Sequence, residues 1–148
     1  MEQSSIRPPT RELFYMPSRE QHAVVALEWI RKADEDLKAA SYLLKLGKEC
    51  PTATIAFHAQ QCVEKLLKSL LVARGIDFPK THDIEKLSGL LPLDAIISLP
   101  VSDQRTLSIY GTVTRYPGDY EPISVKDARK AVSMARRVKR EIRPLLPL

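Results

Sequence analysis

The sequence predicts an all-α fold, an antiparallel up-and-down helical bundle of four main helices plus a short extra helix. Apolar residues recur at alternating steps of three and four in four segments, no segment alternates like a strand, and most connections are short. The 148 residues, 44% of them hydrophobic, suit one domain whose core needs no disulfide or metal.

The first helix is predicted over residues 21–46, ending at Gly47, with Trp29 and Tyr42 beside its apolar stripe in the core or a partner interface. Residues 1–20 carry three prolines and no helical pattern, which indicates a flexible N-terminal arm before a domain of residues 21–148. The stripe consists of Ile30, Ala33, Leu37, Ala40 and Leu44.

The second helix is predicted from Thr52, which can cap it, to about Arg74, before Gly75. Its opposite face places His58, Gln61, Lys65 and Lys68 at helical spacing. The buried stripe consists of Ile55, Ala59, Cys62, Leu66 and Leu70, widened by Val63 and Leu67.

A short helix, two further main helices and a loop complete the bundle. Asp83 can cap a short helix that runs to about Leu91, and another helix is predicted over residues 102–114, with apolar positions at Leu107, Ile109 and Tyr110. Residues 115–122 form a loop by their prolines and glycine. A capping box at residues 124–127 opens the last helix, which ends before Pro144 and points Val125, Ala128, Val132, Ala135 and Ile142 inward.

Several classes of site and location are disfavoured by the sequence. Cys50 and Cys62 form no CxxC motif, so we expect thiols, with Cys62 buried on its helix stripe. The three histidines form no HExxH motif, so no metal is predicted, and no glycine-rich phosphate loop or other cofactor motif is present. The longest apolar run is too short to span a membrane and the first ten residues lack a secretory pattern, which favours a cytoplasmic protein.

The positive charge is concentrated in one segment. Residues 126–143 contain eight basic and two acidic residues, a net charge of +6, whereas the whole chain carries +5. Such a segment attracts an anionic partner or only keeps a helix face solvated, and the sequence favours neither alternative.

Four segments resemble the HEPN domain, a family of nucleotide-binding domains in higher eukaryotes and prokaryotes. They are residues 33–40 (ADEDLKAA), residues 56–68 (AFHAQQCVEKLLK), Gly75 with residues 79–84 (PKTHDI), and residues 115–117 (RYP), so the resemblance extends over about residues 21–143. It implies a helical bundle, usually a homodimer and often encoded beside a minimal nucleotidyltransferase. Many members are metal-independent ribonuclease toxins with an Arg-x(4–6)-His motif, while others bind nucleotides or RNA, or act as partners.

The ribonuclease motif of that family is incomplete in this chain. Arg115 matches its arginine, but the positions four to seven residues beyond are Asp, Tyr, Glu and Pro. Tyr120, with an ordinary pKa near 10, is a poor replacement for histidine in acid–base catalysis at neutral pH. Arg115 can still bind a phosphate, and Tyr116 and Tyr120 can stack on a base.

The sequence therefore predicts a non-catalytic HEPN-type protein, a homodimer that binds RNA or a nucleotide in a basic groove and partners a minimal nucleotidyltransferase in a toxin–antitoxin-like system. The alternatives are a metal-independent endoribonuclease that uses Arg115 with Tyr120 or His58, and an inert dimerisation module. For His58 and His82 a structural role, solvating the bundle or bonding a neighbouring segment, also stays open. The candidate ligand-binding residues are Arg115, Tyr116, Tyr120, His58, Gln61, Lys65, Lys68, His82, Arg129, Arg136 and Arg140.

Overall fold

The computed structural model describes residues 19–112, 117–118 and 121–146, and in these residues all regular structure is helical, as predicted. One-turn 3-10 helices follow the first and the last long helix, at Gly47–Glu49 and Arg143–Leu145. Most of the predicted arm, residues 1–18, lies outside the described residues, and the first helix begins two residues before its predicted start. The helices are α1 (Arg19–Leu44), α2 (Thr52–Ala73), α3 (Ile84–Ser88), α4 (Val101–Thr112) and α5 (Val125–Ile142).

Helix α2 is the centre of the bundle, because it packs against α1, α3, α4 and α5. Its predicted stripe is fully buried, which confirms the helical pattern read from the sequence. Burial of each large aliphatic side chain contributes about 1.5–3 kcal/mol, so this helix supplies much of the driving force for folding. The largest contributors on α2 are Ile55, Leu66, Leu67, Leu70 and Leu71.

Three helix ends have the capping residues that the sequence predicts. Ser124 and Asp127 form the predicted capping box, and the Asp83 side chain accepts from the Lys86 N–H at 3.2 Å. Gly75 ends α2 at φ +69°, and its N–H donates to the Val72 carbonyl while the Ile76 N–H donates to the Leu71 carbonyl. A residue with a Cβ would be strained at that φ, which explains why glycine stands there.

Several local predictions were wrong. Thr52 does not cap α2, because the extended Pro51 is the N-cap residue and its carbonyl accepts from the Ile55 N–H. Helix α3 ends at Ser88 rather than near Leu91, whereas α5 ends at Ile142, before Pro144 as predicted. Ile109 is exposed because it lies opposite the buried face that Leu107 and Gly111 define. Tyr42 is 59% exposed with the Lys45 ammonium over its ring, so it lies outside the core, and its place in a partner interface stays a prediction.

Candidate functional site

The predicted site residues lie in three parts of the chain. Arg115, Tyr116 and Tyr120 lie outside the described residues. His58, Gln61, Lys65 and Lys68 are on α2, and His82 is in the connection that leads to α3. Arg129, Arg136 and Arg140 are on α5.

Three of the predicted residues, Gln61, Lys68 and His82, meet around the buried carboxylate of Glu64. We call this group the Glu64 cluster: Gln60, Gln61, Glu64, Lys68 and His82. One carboxylate oxygen accepts from Lys68 Nζ at 2.8 Å. The other accepts from Gln60 Nε2 at 2.9 Å and contacts His82 Nδ1 at 2.9 Å, with Gln61 Nε2 at 3.5 Å. Gln60 Nε2 also donates to the His82 carbonyl, which anchors the connection between α2 and α3.

The charge of Glu64 is stabilised within this cluster. Burial alone would raise the pKa of Glu64, but Lys68, together with hydrogen bonds from Gln60 and His82, lowers it below its ordinary value. An ionised carboxylate only accepts hydrogen bonds, so Nδ1 of His82 carries the proton. The Lys68 ammonium also lies 5.4 Å from the ring of Trp29 and 5.8 Å from that of Phe78, where cation–π attraction adds to the ion pair.

A second cluster joins α2 to α1 through Asp36, and we call it the Asp36 cluster: Asp36, His58 and Lys65. Asp36 Oδ1 contacts His58 Nδ1 at 2.8 Å, and Asp36 Oδ2 accepts from Lys65 Nζ at 2.6 Å. Asp36 is buried, whereas the His58 side chain is 30% exposed. Each cluster thus combines one inaccessible carboxylate with one lysine and one histidine.

These contacts orient both imidazole rings. With Nδ1 held against a carboxylate, each ring has its Nε2 left for another partner, and the His82 side chain is 52% exposed. An imidazole fixed in this way can accept or donate a proton at Nε2. The same contacts tie a loop and a helix to α2, which is the structural role that the sequence left open for His82 and His58.

The exposed side of α5 and its C-cap residue Arg143 carry the basic residues, and we call this surface the basic arc: Lys126, Arg129, Lys130, Arg136, Arg137, Arg140 and Arg143. All seven are exposed. Lys130 lies 3.4 Å from Asp103, and Arg136 donates to the Ser41 hydroxyl at 3.0 Å. The other five have no acidic partner within the described part of the chain.

The two acidic residues of α5 do not neutralise this arc. Asp127 accepts from the Ser124 N–H in the capping box, and Glu141 accepts from the Ser98 N–H at 2.9 Å. Lys139, beside the arc, pairs with Asp34 of α1 at 3.0 Å. The surface therefore keeps an excess of positive charge along the helix, which Asp103 of α4 reduces at Lys130.

The structure thus separates the predicted residues into internal clusters and an open surface. Gln61, Lys68 and His82 meet at Glu64, and His58 and Lys65 meet at Asp36, whereas the arginines of α5 join neither cluster. Sequence reasoning missed Asp36, Gln60 and Glu64 as the residues that organise the clusters. The i,i+4 spacing of Glu64 and Lys68 was a readable signal, but the pairs that are about twenty positions apart gave none.

The thiols and the acidic side chains give no further site. Both cysteines are free and buried, and burial, reinforced by Asp36 and Asp34, raises the pKa of Cys62 to about 12, which keeps it protonated. Across residues 19–112, 117–118 and 121–146, no group of three or more His, Cys, Asp or Glu side chains is placed to hold a metal ion. No helix in those ranges has the length and apolar character needed to cross a bilayer.

Comparison with known proteins agrees with this architecture. The crystal structure of the Thermus thermophilus protein TT1696 aligns with a TM-score of 0.67 and 30% identity, covering 80% of this chain and 96% of that one. A Methanocaldococcus jannaschii protein named "Putative toxin MJ1304" is 44% identical over 50 residues, 34% of this chain and 31% of that protein, so the match spans under a third of the relative's length. The HEPN domain model matches residues 26–144, and the chain belongs to the HEPN domain family.

Proposed function

We propose that this chain is a non-catalytic HEPN protein that binds RNA or a nucleotide through the basic arc of α5, in a toxin–antitoxin-like system with a minimal nucleotidyltransferase as partner. The observation that carries the proposal is the arc itself, with seven exposed basic residues, five of which have no acidic partner in the described part of the chain. Arginine and lysine bind phosphates by charge and release the counterions that surround a nucleic acid.

The family and its relatives support the setting of this function. The archaeal relative has the word toxin in its name, and it shares 44% identity with this chain over 50 residues. The resemblance to HEPN sequences adds Arg115 as a phosphate ligand and Tyr116 and Tyr120 as stacking residues. In this proposal the residues of the two internal clusters support the bundle that presents the binding residues. They are His58, Gln61, Lys65, Lys68 and His82.

The binding test uses labelled single-stranded RNA in EDTA, at low and moderate salt, with cleavage and retention scored together. We compare the wild type, Arg115→Ala, and a double variant of the arc, Arg129→Gln with Arg140→Gln. The matched control is Lys48→Gln with Lys86→Gln, which removes two exposed charges outside α5. Intact RNA should be retained at low salt and released at moderate salt, and the arc variant should bind several-fold more weakly than the control.

Other results of this test would contradict the proposal. Equal binding by the arc variant and the control would remove α5 from the interface. If neither RNA nor a labelled nucleotide is retained at low salt, the ligand-binding function is refuted. A protein is then the favoured partner of the basic arc. Cleavage in EDTA that is lost in Arg115→Ala would make the chain a ribonuclease.

A second candidate function is metal-independent RNA cleavage, and the contact of 2.8 Å between Asp36 and His58 favours it. Such cleavage needs one group to accept the 2′-hydroxyl proton and another to donate a proton to the leaving oxygen. The Asp36 carboxylate orients His58 for one of these steps. Under this candidate, both His58→Gln and Asp36→Asn abolish cleavage in EDTA, whereas binding of intact RNA is retained.

The proposed partners have their own tests. If the chain forms a homodimer, light scattering should give a mass in solution of about twice 16.7 kDa. The nucleotidyltransferase is tested by co-expressing the chain with a minimal nucleotidyltransferase gene found beside its own and purifying one by a tag on the other. A monomer, or a nucleotidyltransferase that elutes alone, would remove that part of the proposal.

A further inference from the structure

The basic arc consists of two rows of charge. Four arginines follow one line along α5 at steps of seven, four and three residues, and a second line lies about a quarter turn around the helix. Both spacings match the period of 3.6 residues per turn, so each row runs roughly parallel to the helix axis. The first row is Arg129, Arg136, Arg140 and Arg143, and the second row is Lys126, Lys130 and Arg137.

The dimensions of the arc follow from helix geometry. At 1.5 Å per residue, the first row extends for about 21 Å. The long side chains of the two rows diverge from a cylinder whose diameter is about 10–12 Å, so their charged ends lie on the order of 10 Å apart. Between the rows lies Ser133, an exposed and small side chain that leaves the space between them open.

The arc is held rigidly before any ligand binds. Its opposite face is buried against α2 through Ala131, Ala135 and Val138. Arg136 bonds Ser41 at 3.0 Å and Lys139 pairs with Asp34 at 3.0 Å, which ties the helix to α1. A ligand whose own charges are fixed in space would therefore lose little conformational entropy on binding.

We propose that the basic arc binds double-stranded nucleic acid, with α5 lying over a groove so that each row contacts the phosphates of one strand. This inference rests on the proposed function and specifies its substrate. Two parallel rows match two phosphate backbones, and a groove of B-form DNA is about 12 Å wide, while A-form RNA has a wide, shallow minor groove. A single strand has one backbone and would use one row.

The side chains of the arc itself offer a single strand no stacking partner, and the stacking tyrosines of the proposed function, Tyr116 and Tyr120, precede α5 in the sequence. Proteins that bind single strands rely on aromatic side chains on which the bases stack. The arc contains only lysine and arginine and no aromatic residue. In the proposed arrangement these side chains contact phosphates rather than base edges, so we expect binding that depends little on sequence.

The experiment measures fluorescence anisotropy with labelled single-stranded RNA, duplex RNA and duplex DNA of equal length over a series of salt concentrations. The first-row variant is Arg129→Gln with Arg140→Gln, and the second-row variant is Lys126→Gln with Arg137→Gln. The control variant, Lys48→Gln with Lys86→Gln, removes two exposed charges outside α5. Circular dichroism melting checks that all three variants fold.

A duplex should bind more tightly than the single strand. Each row variant should weaken duplex binding by roughly tenfold and lower the salt slope by about 2, because each removes two phosphate contacts. The control variant should behave like the wild type. Duplex RNA and duplex DNA present the same phosphate groups to the arc. The comparison of their affinities therefore decides which duplex is preferred.

Three outcomes would overturn the inference. If the single strand binds as tightly as the duplexes, or if one row variant binds a duplex like the control, the arc does not hold two strands, although the proposed RNA binding stands. If no nucleic acid binds at low salt, the duplex inference and the RNA-binding form of the proposed function both fail.

Discussion

Gly111 of α4 lies directly against the side chain of Gln60 in the Glu64 cluster. A Cβ at position 111 would come within 2.5 Å of Oε1 and 2.7 Å of Nε2 of Gln60, closer than real atoms approach. Gln60 is buried and bonds both the Glu64 carboxylate and the His82 carbonyl, so it has little freedom to give way. Glycine at this position lets α4 pack on the cluster.

Gly111→Ala should destabilise the protein by about 1–3 kcal/mol, the usual cost of overpacking a core. In an open helix position the same change stabilises by about 1 kcal/mol through helix propensity, so the sign of the effect is diagnostic. Urea unfolding measures it. Gly118→Ala is the control, because nothing lies within 4 Å of a Cβ there. A stabilised Gly111→Ala protein would show that α4 does not press on Gln60.

Glu64→Gln should lower the free energy of unfolding at neutral pH by about 3 kcal/mol, because it leaves the buried ammonium of Lys68 without its opposite charge. Glu35→Gln, on the exposed side of α1, is the control and should change stability by less than about 0.5 kcal/mol. Chemical unfolding of the three proteins provides the comparison. Equal stability of wild type and Glu64→Gln would mean that the cluster adds nothing to the fold.

The contribution of Glu64 should depend on pH in a defined direction. Its pKa is lower in the folded protein than the ordinary 4.5, so its stabilising effect is fully present above that value. The effect is lost as the pH falls through the lowered folded pKa. The difference in unfolding free energy between wild type and Glu64→Gln should therefore shrink on acidification. A difference that grows instead would reverse the assigned shift.

Ser124→Ala should cost about 1 kcal/mol, because it removes the hydrogen bond of 2.9 Å from the Asp127 N–H to the Ser124 hydroxyl. The control lies on the same helix. Ser133→Ala changes a solvent-exposed residue in the middle of α5 and should leave stability unchanged or raise it slightly. Thermal melting followed by circular dichroism compares the two. Identical melting shifts for both substitutions would exclude a role for the capping box.

The thiols should resist alkylation in the folded protein. Cys62 is buried and its pKa is raised to about 12, so it presents no thiolate at neutral pH, and the sulfur of Cys50 is buried away from the reagent. Iodoacetamide should label both cysteines only after denaturation. Mass spectrometry counts the alkylated cysteines before and after unfolding. Fast labelling of Cys62 in the native protein would contradict its position in the core.

The helices could be predicted because their information is local. Stripes at three- and four-residue spacing, the glycine after α2 and the capping box of α5 lie within a few positions of the ends they define. The errors have local causes too. Ile109 is apolar in sequence, but the buried face of the short α4 is fixed by Leu107 and Gly111, and a glycine adds no apolar signal to the pattern.

The clusters could not be predicted because their information is tertiary. Asp36 and His58 are 22 positions apart, and Glu64 and His82 are 18 apart, so only the packing of the bundle brings them together. The spacing predicted one polar face of α2 with His58, Gln61, Lys65 and Lys68. It did not indicate that two of these residues bind Asp36 and the other two bind Glu64. The basic arc was easier to predict, since all its members lie on one helix.

The excess positive charge of α5 gives salt two effects on this protein. Arg136 and Arg140 are one turn apart and repel each other, as do the other neighbours in the rows, so the helix depends on its contacts with the core. Dissolved ions screen this repulsion within α5, and the same ions weaken the hold of the helix on an anionic ligand. An anionic ligand that binds the rows relieves the same repulsion, so salt and ligand replace each other as partners of these charges.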